Sequence, residues 1–197
     1  MNIVVIGATG TIGREIAQLS KKKGNTVIAA SRNGEFQVNI DDPKSIEQFF
    51  EKIPQVDAII CAAGNASFGG LQELSDEQID LGLKSKLMGQ VNLVRKGLKK
   101  LNPGGIIILT GGIFAHKPWP QTTNIAMVNA GLEGFVRAAA LEMHDGKQVA
   151  VIHPPFVRET AKAMGMDAEP YLSAAKVAET YLETLTKKTF EIPIFVQ

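Results

Sequence analysis

The sequence predicts an α/β fold over residues 1–197: a single domain built on a doubly wound parallel sheet of about seven strands with helices on both faces. Three observations predict it. An apolar strand at the N-terminus runs straight into a glycine-rich loop. Short apolar runs then alternate with helical patterns to the end of the chain. Several of those runs are apolar on both faces, as strands covered by helices on both sides must be.

The first strand is Ile3 to Ile6, followed by Gly7-Ala-Thr-Gly10-Thr-Ile-Gly13 and a helix from Arg14 to Lys23 with Ile16, Ala17 and Leu19 turned inward. Gly24-Asn25 stops that helix before the second strand, Val27 to Ala30. Further strands are predicted at Phe36 to Asn39, Ala58 to Cys61, Ile106 to Thr110, Val149 to Ile152 and Ile192 to Val196. A long helix begins at the capping box Ser75-Asp-Glu-Gln78. Its inward stripe is Ile79, Leu83, Leu87, Val91, Val94, Leu98 and Leu101, and Asn102-Pro103-Gly104 ends it. Two more helices run from Ile125 to Met143 and from Ser173 to Leu185. No linker, repeat or low-complexity tract divides the chain.

Composition narrows the function. The formal net charge is +1 with 45% hydrophobic residues, so no broad field favours nucleic acid or an anionic membrane, and neither is expected as a partner. Lys21-Lys22-Lys23 and Lys99-Lys100 sit at helix C-termini, where cations suit the dipole. Cys61 is the only cysteine, which excludes an intrachain disulfide and a cysteine-based metal cluster; it suits a small buried residue, and no metal is expected. Met1-Asn-Ile-Val-Val forms a core strand rather than a signal peptide, and no apolar run is long enough to span a bilayer, so a cytoplasmic location is expected.

The glycines carry the chemistry. Glycine lets the backbone turn tightly and approach a pyrophosphate without a Cβ clash, while the helix behind it aims free N–H groups at phosphate oxygens. That points to a nucleotide. Ser31-Arg32 after the second strand, Asn39-Ile40-Asp41-Asp42-Pro43 after the third, Cys61-Ala62-Ala63-Gly64 at the fourth and Gly131-Leu-Glu-Gly134 in the later helix come in order along the chain. Together these landmarks resemble the short-chain dehydrogenase/reductase family along nearly the whole chain, which implies a single NAD(P)-binding Rossmann-fold domain over residues 1–197.

The resemblance implies that Gly7, Thr9, Gly10, Thr11, Ile12 and Gly13 cradle a dinucleotide pyrophosphate. By the same resemblance Ser31 and Arg32 flank the adenosine ribose, Asn39 and Ile40 hold the adenine, and Ala62, Ala63 and Gly64 line the middle of the cofactor. A guanidinium at Arg32 can pair with a 2′-phosphate, and no Asp or Glu ends the second strand, so NADP(H) is favoured over NAD(H). An exposed loop arginine without that role is the alternative. The resemblance also implies a homodimer or homotetramer, paired through the helices beginning at Ser75 and Ile125, and a small-molecule substrate or ligand.

The family's catalytic residues are a tyrosine, a lysine four residues on, a serine and an asparagine. Aligned on Gly131 to Glu142, their positions fall at Ile125, Asn129, Gly112 and Lys86. Isoleucine has no proton to give, and asparagine has no charge with which to stabilise a phenolate. The only tyrosines are Tyr171 and Tyr181, neither with a lysine four residues later. Pro154-Pro155 stands where the family has Pro-Gly. Replacements are few: His116 is the best acid by its intrinsic pKa, Thr110 or the Gly112 N–H could polarise an oxygen, and Lys86 could stand near one as a cation. Each also has an ordinary reading, His116 as an exposed loop histidine, Thr110 as a strand-end residue and Lys86 as a solvated helix lysine.

Two functions fit these residues. One is an NADP(H)-dependent oxidoreductase acting on a small carbonyl or alcohol with a degenerate catalytic set. The other is a noncatalytic NADP(H)-binding redox sensor or regulatory protein, with Arg158, Trp119 and the segment from Phe156 to Tyr171 as a lid. A serine hydrolase is disfavoured, because Gly64-Asn-Ala-Ser67-Phe-Gly69 has one residue too many for a nucleophile elbow.

Overall fold

The computed structural model describes residues 1–196. Seven parallel strands form one sheet in the order β3-β2-β1-β4-β5-β6-β7. They are β1 Asn2–Ile6, β2 Thr26–Ser31, β3 Phe36–Gln37, β4 Val56–Cys61, β5 Leu101–Thr110, β6 Gln148–His153 and β7 Ile194–Phe195. The order reverses between β1 and β4, which opens a crevice at the carboxyl ends of the strands. Both faces are covered. On one, Ile3, Val5, Ile60 and Ile108 pack under helices α1 (Thr11–Lys22) and α7 (Ala174–Thr184). On the other, Val4, Ile59, Ile107 and Leu109 pack under α2 (Pro43–Lys52), α4 (Gln90–Gly97) and α5 (Thr123–Ala140).

Local chemistry explains the helix starts. Asp42 accepts from the Lys44 N–H with Pro43 in the first turn of α2, and Ser75 and Gln78 form a complete capping box at α3 (Asp76–Leu81). A short helix, α6 (Arg158–Ala163), lies within the predicted lid segment.

The long helix predicted from Ser75 is corrected by the structure. It does not keep a 3.6-residue period, because Gly82–Gly89 is π-helical between α3 and α4. Each π turn holds an extra residue and rotates the helix beyond it: Leu83 and Leu87 within the segment are only half-buried, like Ile79 before it, while Leu93 beyond it is fully buried. Val91 and Val94 of the predicted stripe are buried on α4; Leu101 is buried too, but as the first residue of β5, so the helix ends before it and Asn102-Pro103-Gly104 lies within the strand.

Candidate functional site

Two cavities of about 220 Å³ each open at the carboxyl edge of the sheet, and Gly64 lines both. The first lies over the crevice at β1 and β4. Its walls include Gly7, Thr9 and Gly10 of the loop, Ser31 and Arg32 after β2, Asn39 and Ile40 after β3, and Ala62 to Gly64 after β4. Gly7 has φ 84°, and a Cβ there would meet the Ala62 carbonyl oxygen at 2.6 Å. A Cβ on Gly13 would lie 2.1 Å from the Gly7 carbonyl oxygen, so this glycine lets α1 press against the loop. No side chain caps α1 and no acid stands in its first turn, which leaves its leading N–H groups and the positive end of the dipole facing the crevice. Arg32 is exposed at the rim.

Thr11 and Gly13 do not line this cavity, and Ile12 lines the second one instead. Sequence reasoning missed Val38, Asp41, Asn65 and Ser85 on the walls of the first. Asp41 stands in the same motif as Asn39 and Ile40, and its Oδ1 is buried without a partner among the described residues. Ser85 Oγ accepts from the Asn65 N–H at 3.0 Å, a contact across 20 residues that no local pattern shows.

The second cavity sits beyond Gly64, over the ends of β5 and β6. All four vacated positions, Lys86, Gly112, Ile125 and Asn129, meet on its walls, with Pro154 and Pro155. Phe68, Phe114 and Phe156 make the rest largely apolar, and Trp119 and Tyr171 extend the aromatic cluster outward. Lys86 is the only ionisable side chain among the described residues lining it. It is half-buried rather than solvated, and desolvation draws its pKa down to about 8.

Of the other proposed replacements, Thr110 and His116 lie outside both cavities and the Gly112 N–H is already engaged. The Thr110 hydroxyl donates to the Cys61 carbonyl at 2.6 Å and so accepts from the Tyr181 hydroxyl at 2.8 Å, within the core. Burial drives the Tyr181 pKa well above its ordinary value, and Thr110 lines neither cavity. The Gly112 N–H already donates to His153 Nδ1 at 2.8 Å. His116 lines neither cavity; its Nε2 lies 2.6 Å from Glu133 Oε2, and its ring packs on Phe195. His153, which no sequence pattern marked, shares that carboxylate at 3.3 Å.

His116, Glu133 and His153 bring three ligand atoms within 4.8 Å of one another. The hydrogen bonds argue for a proton-bearing cluster instead of a metal site. Because Nδ1 of neutral His153 accepts from Gly112, its proton sits on Nε2, the nitrogen a metal would need. Burial pulls the His153 pKa down to about 4, which keeps the ring neutral. Burial raises the Glu133 carboxyl, but His116 and Arg137 outweigh it and its pKa falls.

The chain is similar to known proteins in sequence and in fold. A family model described as enoyl-(acyl carrier protein) reductase matches residues 7–189. The chain is 31% identical to 3-oxoacyl-[acyl-carrier-protein] reductase FabG of Escherichia coli over 178 residues, covering 78% of this chain and 72% of that protein. It is 30% identical to elsinochrome reductase 1 of Elsinoe fawcettii over 136 residues, 66% of this chain and about half (48%) of that protein. Among solved structures, the protein lin1944 from Listeria innocua superposes with a TM-score of 0.92 at 33% identity, covering 100% of both chains. A small-chain dehydrogenase in complex with NADPH gives 0.88 at 27% identity, covering 100% of this chain and 96% of that one.

Proposed function

The chain belongs to the short-chain dehydrogenase/reductase family, and from that premise we propose that it is an NADP(H)-dependent oxidoreductase acting on a small carbonyl or alcohol. The observation that carries this reading is the pair of cavities joined at Gly64, one glycine-walled and one apolar. Gly7, Gly10 and the first turn of α1 suit a pyrophosphate: the uncapped N–H groups need an anion, and the missing Cβ atoms leave room for it. Arg32 would hold a 2′-phosphate, and Asn39, Ile40 and the unpartnered Asp41 Oδ1 would hold the adenine, whose exocyclic amine is a donor. When bound, the nicotinamide supplies or takes a hydride. The related structure with NADPH supports this choice of cofactor.

Titration with NADPH and NADH by fluorescence or calorimetry tests the reading. Arg32→Ala should cost NADPH about 1 to 3 kcal/mol and leave NADH nearly unchanged. Equal losses for both cofactors, or no binding of either, would overturn it. A noncatalytic NADP(H)-responsive protein is the second reading, favoured by the commitment of the Thr110 hydroxyl and the Gly112 N–H to internal partners. NADPH binding without turnover on any carbonyl would select it.

The same reading includes a homodimer or homotetramer packed through the helical run from Asp76 and through α5. Leu81, Met88 and Met127 on these helices are exposed, and sedimentation as a monomer at micromolar concentration would remove this part.

A further inference from the structure

Lys86 reaches the second cavity by an unusual route. The π-helical segment brings its backbone so close to Gly64 that a Cβ on that glycine would lie 3.0 Å from both Cα and Cδ of Lys86. Its side chain therefore passes along the junction of the two cavities. Its Nζ makes no hydrogen bond or ion pair among the described residues. From α5, Asn129 lines the same cavity; its Oδ1 is buried and has no partner among the described residues. A buried carbonyl oxygen without a donor is costly unless something supplies one. Relative to the family pattern, lysine and asparagine have exchanged helices.

We propose that Lys86 is the proton donor to the carbonyl oxygen of an uncharged, hydrophobic substrate, with Asn129 as the residue that positions its ammonium. This rests on the NADP(H) reading above. A bound reduced nicotinamide would supply hydride to the carbonyl carbon, and the carbonyl π pair would move to oxygen. The new O–H bond forms as an Nζ–H bond of Lys86 breaks, and the amine regains its proton from water. The Phe68, Phe114, Phe156 and Ile125 walls suit an aromatic or aliphatic carbonyl and offer no second cation for a substrate carboxylate.

The surroundings leave the ammonium able to release its proton near neutrality. Desolvation lowers the pKa of Lys86 to about 8, and the nearby Cys61 thiol on β4, pushed up to about 11 by burial, carries no charge in that range. His153 on β6 is neutral, and Glu133 on α5 is engaged by His116, His153 and Arg137. Asp76, Glu77 and Asp80 of α3 and Lys84 beside it do not line the cavity; Arg95 and Lys96 of α4 bond to Asn92 and Glu47.

The test compares the parent with Lys86→Met, Lys86→Arg and Asn129→Asp. Three readouts apply: NADPH binding by fluorescence, kcat/KM against pH on naphthaldehyde and a phenanthrenequinone, and competitive acetylation of individual lysines followed by mass spectrometry. In the parent, Lys86 should become half-reactive near pH 8, well below the surface lysines, and kcat/KM should fall above that pH. Lys86→Met should bind NADPH within about twofold and lose on the order of 100-fold or more in kcat/KM. Lys86→Arg and Asn129→Asp should each carry the alkaline limb to higher pH, a shift that a merely structural role would not produce. Full turnover by Lys86→Met, or acetylation of Lys86 in step with the surface lysines, overturns the proposal. So does a parent that binds NADPH but reduces neither compound. A parent that fails to bind NADPH overturns the cofactor reading instead.

Discussion

The Gly112 backbone N–H donates to Nδ1 of His153 at 2.8 Å. This contact ties the loop after β5 to the end of β6 and fixes the histidine tautomer, with the Nε2 proton directed at Glu133. It also withdraws from the cavity the one donor that a glycine at the family's serine position could offer. The apolar cleft is left with Lys86, Asn129 and Thr160 as its polar side chains.

His153 makes stability depend on pH. Its pKa lies near 4 in the folded protein and near 6.5 when unfolded, so between those values the unfolded chain binds more protons. Stability should therefore fall as pH drops through that window, by roughly 3 kcal/mol when complete. His153→Gln keeps an acceptor near Gly112 but cannot titrate. Denaturant melts between pH 7 and pH 5.5, above the range in which the unfolded Glu133 carboxyl takes up its proton, should show a flatter profile for it; an unchanged slope would contradict this assignment.

Two glycines separate cradle chemistry from backbone strain. Gly13→Ala would place a Cβ 2.1 Å from the Gly7 carbonyl oxygen, so it should move the loop, destabilise the fold and abolish cofactor binding. Gly24 has φ +81° and nothing within 4 Å of its would-be Cβ. Gly24→Ala should cost only about 1 to 2 kcal/mol of left-handed strain and leave binding intact. Thermal melts and NADPH titrations of both variants check this, and equal binding by both would refute it.

Tyr181 serves the core. Tyr181→Phe removes a hydroxyl that donates to Thr110, while Thr110 keeps its bond to the Cys61 carbonyl. The expected loss is about 1 kcal/mol of stability, with NADPH affinity and turnover unchanged. Abolished turnover with intact binding would identify a displaced tyrosine as the proton carrier.

Much of the fold was legible because local rules sufficed. Gly7, Gly10 and Gly13, the two-sided apolar strands and the Ser75 capping box each act over a few residues, and the parallel sheet arises from strict alternation of strand and helix. The π-helical turn at Gly82–Gly89 was not legible, since a 3.6-residue stripe drawn through Ile79, Leu83 and Leu87 carries no mark of the inserted residue. Nor could sequence show that Lys86 is desolvated or that His153 meets Gly112 and Glu133, because those partners arrive from other elements. Residue type alone favoured His116, which the fold sets outside the cleft.

Restoring the family's residues requires removing Lys86 as well. A Cβ on Gly112 would lie 2.7 Å from Asn129 Nδ2, so Gly112→Ser should be destabilising while Asn129 stands and should couple with any change there. Asn129→Lys would relieve that contact but bring a second ammonium into a cavity of about 220 Å³ that already holds Lys86. Two cations in one partly desolvated site disfavour each other's protonation. The triple variant Gly112→Ser, Ile125→Tyr, Asn129→Lys should therefore remain less stable and less active than the same variant with Lys86→Asn added. Melting temperature and kcat/KM on the same two carbonyl compounds decide between them. Equal activity of the two variants would show that Lys86 does not share the cavity electrostatically with position 129.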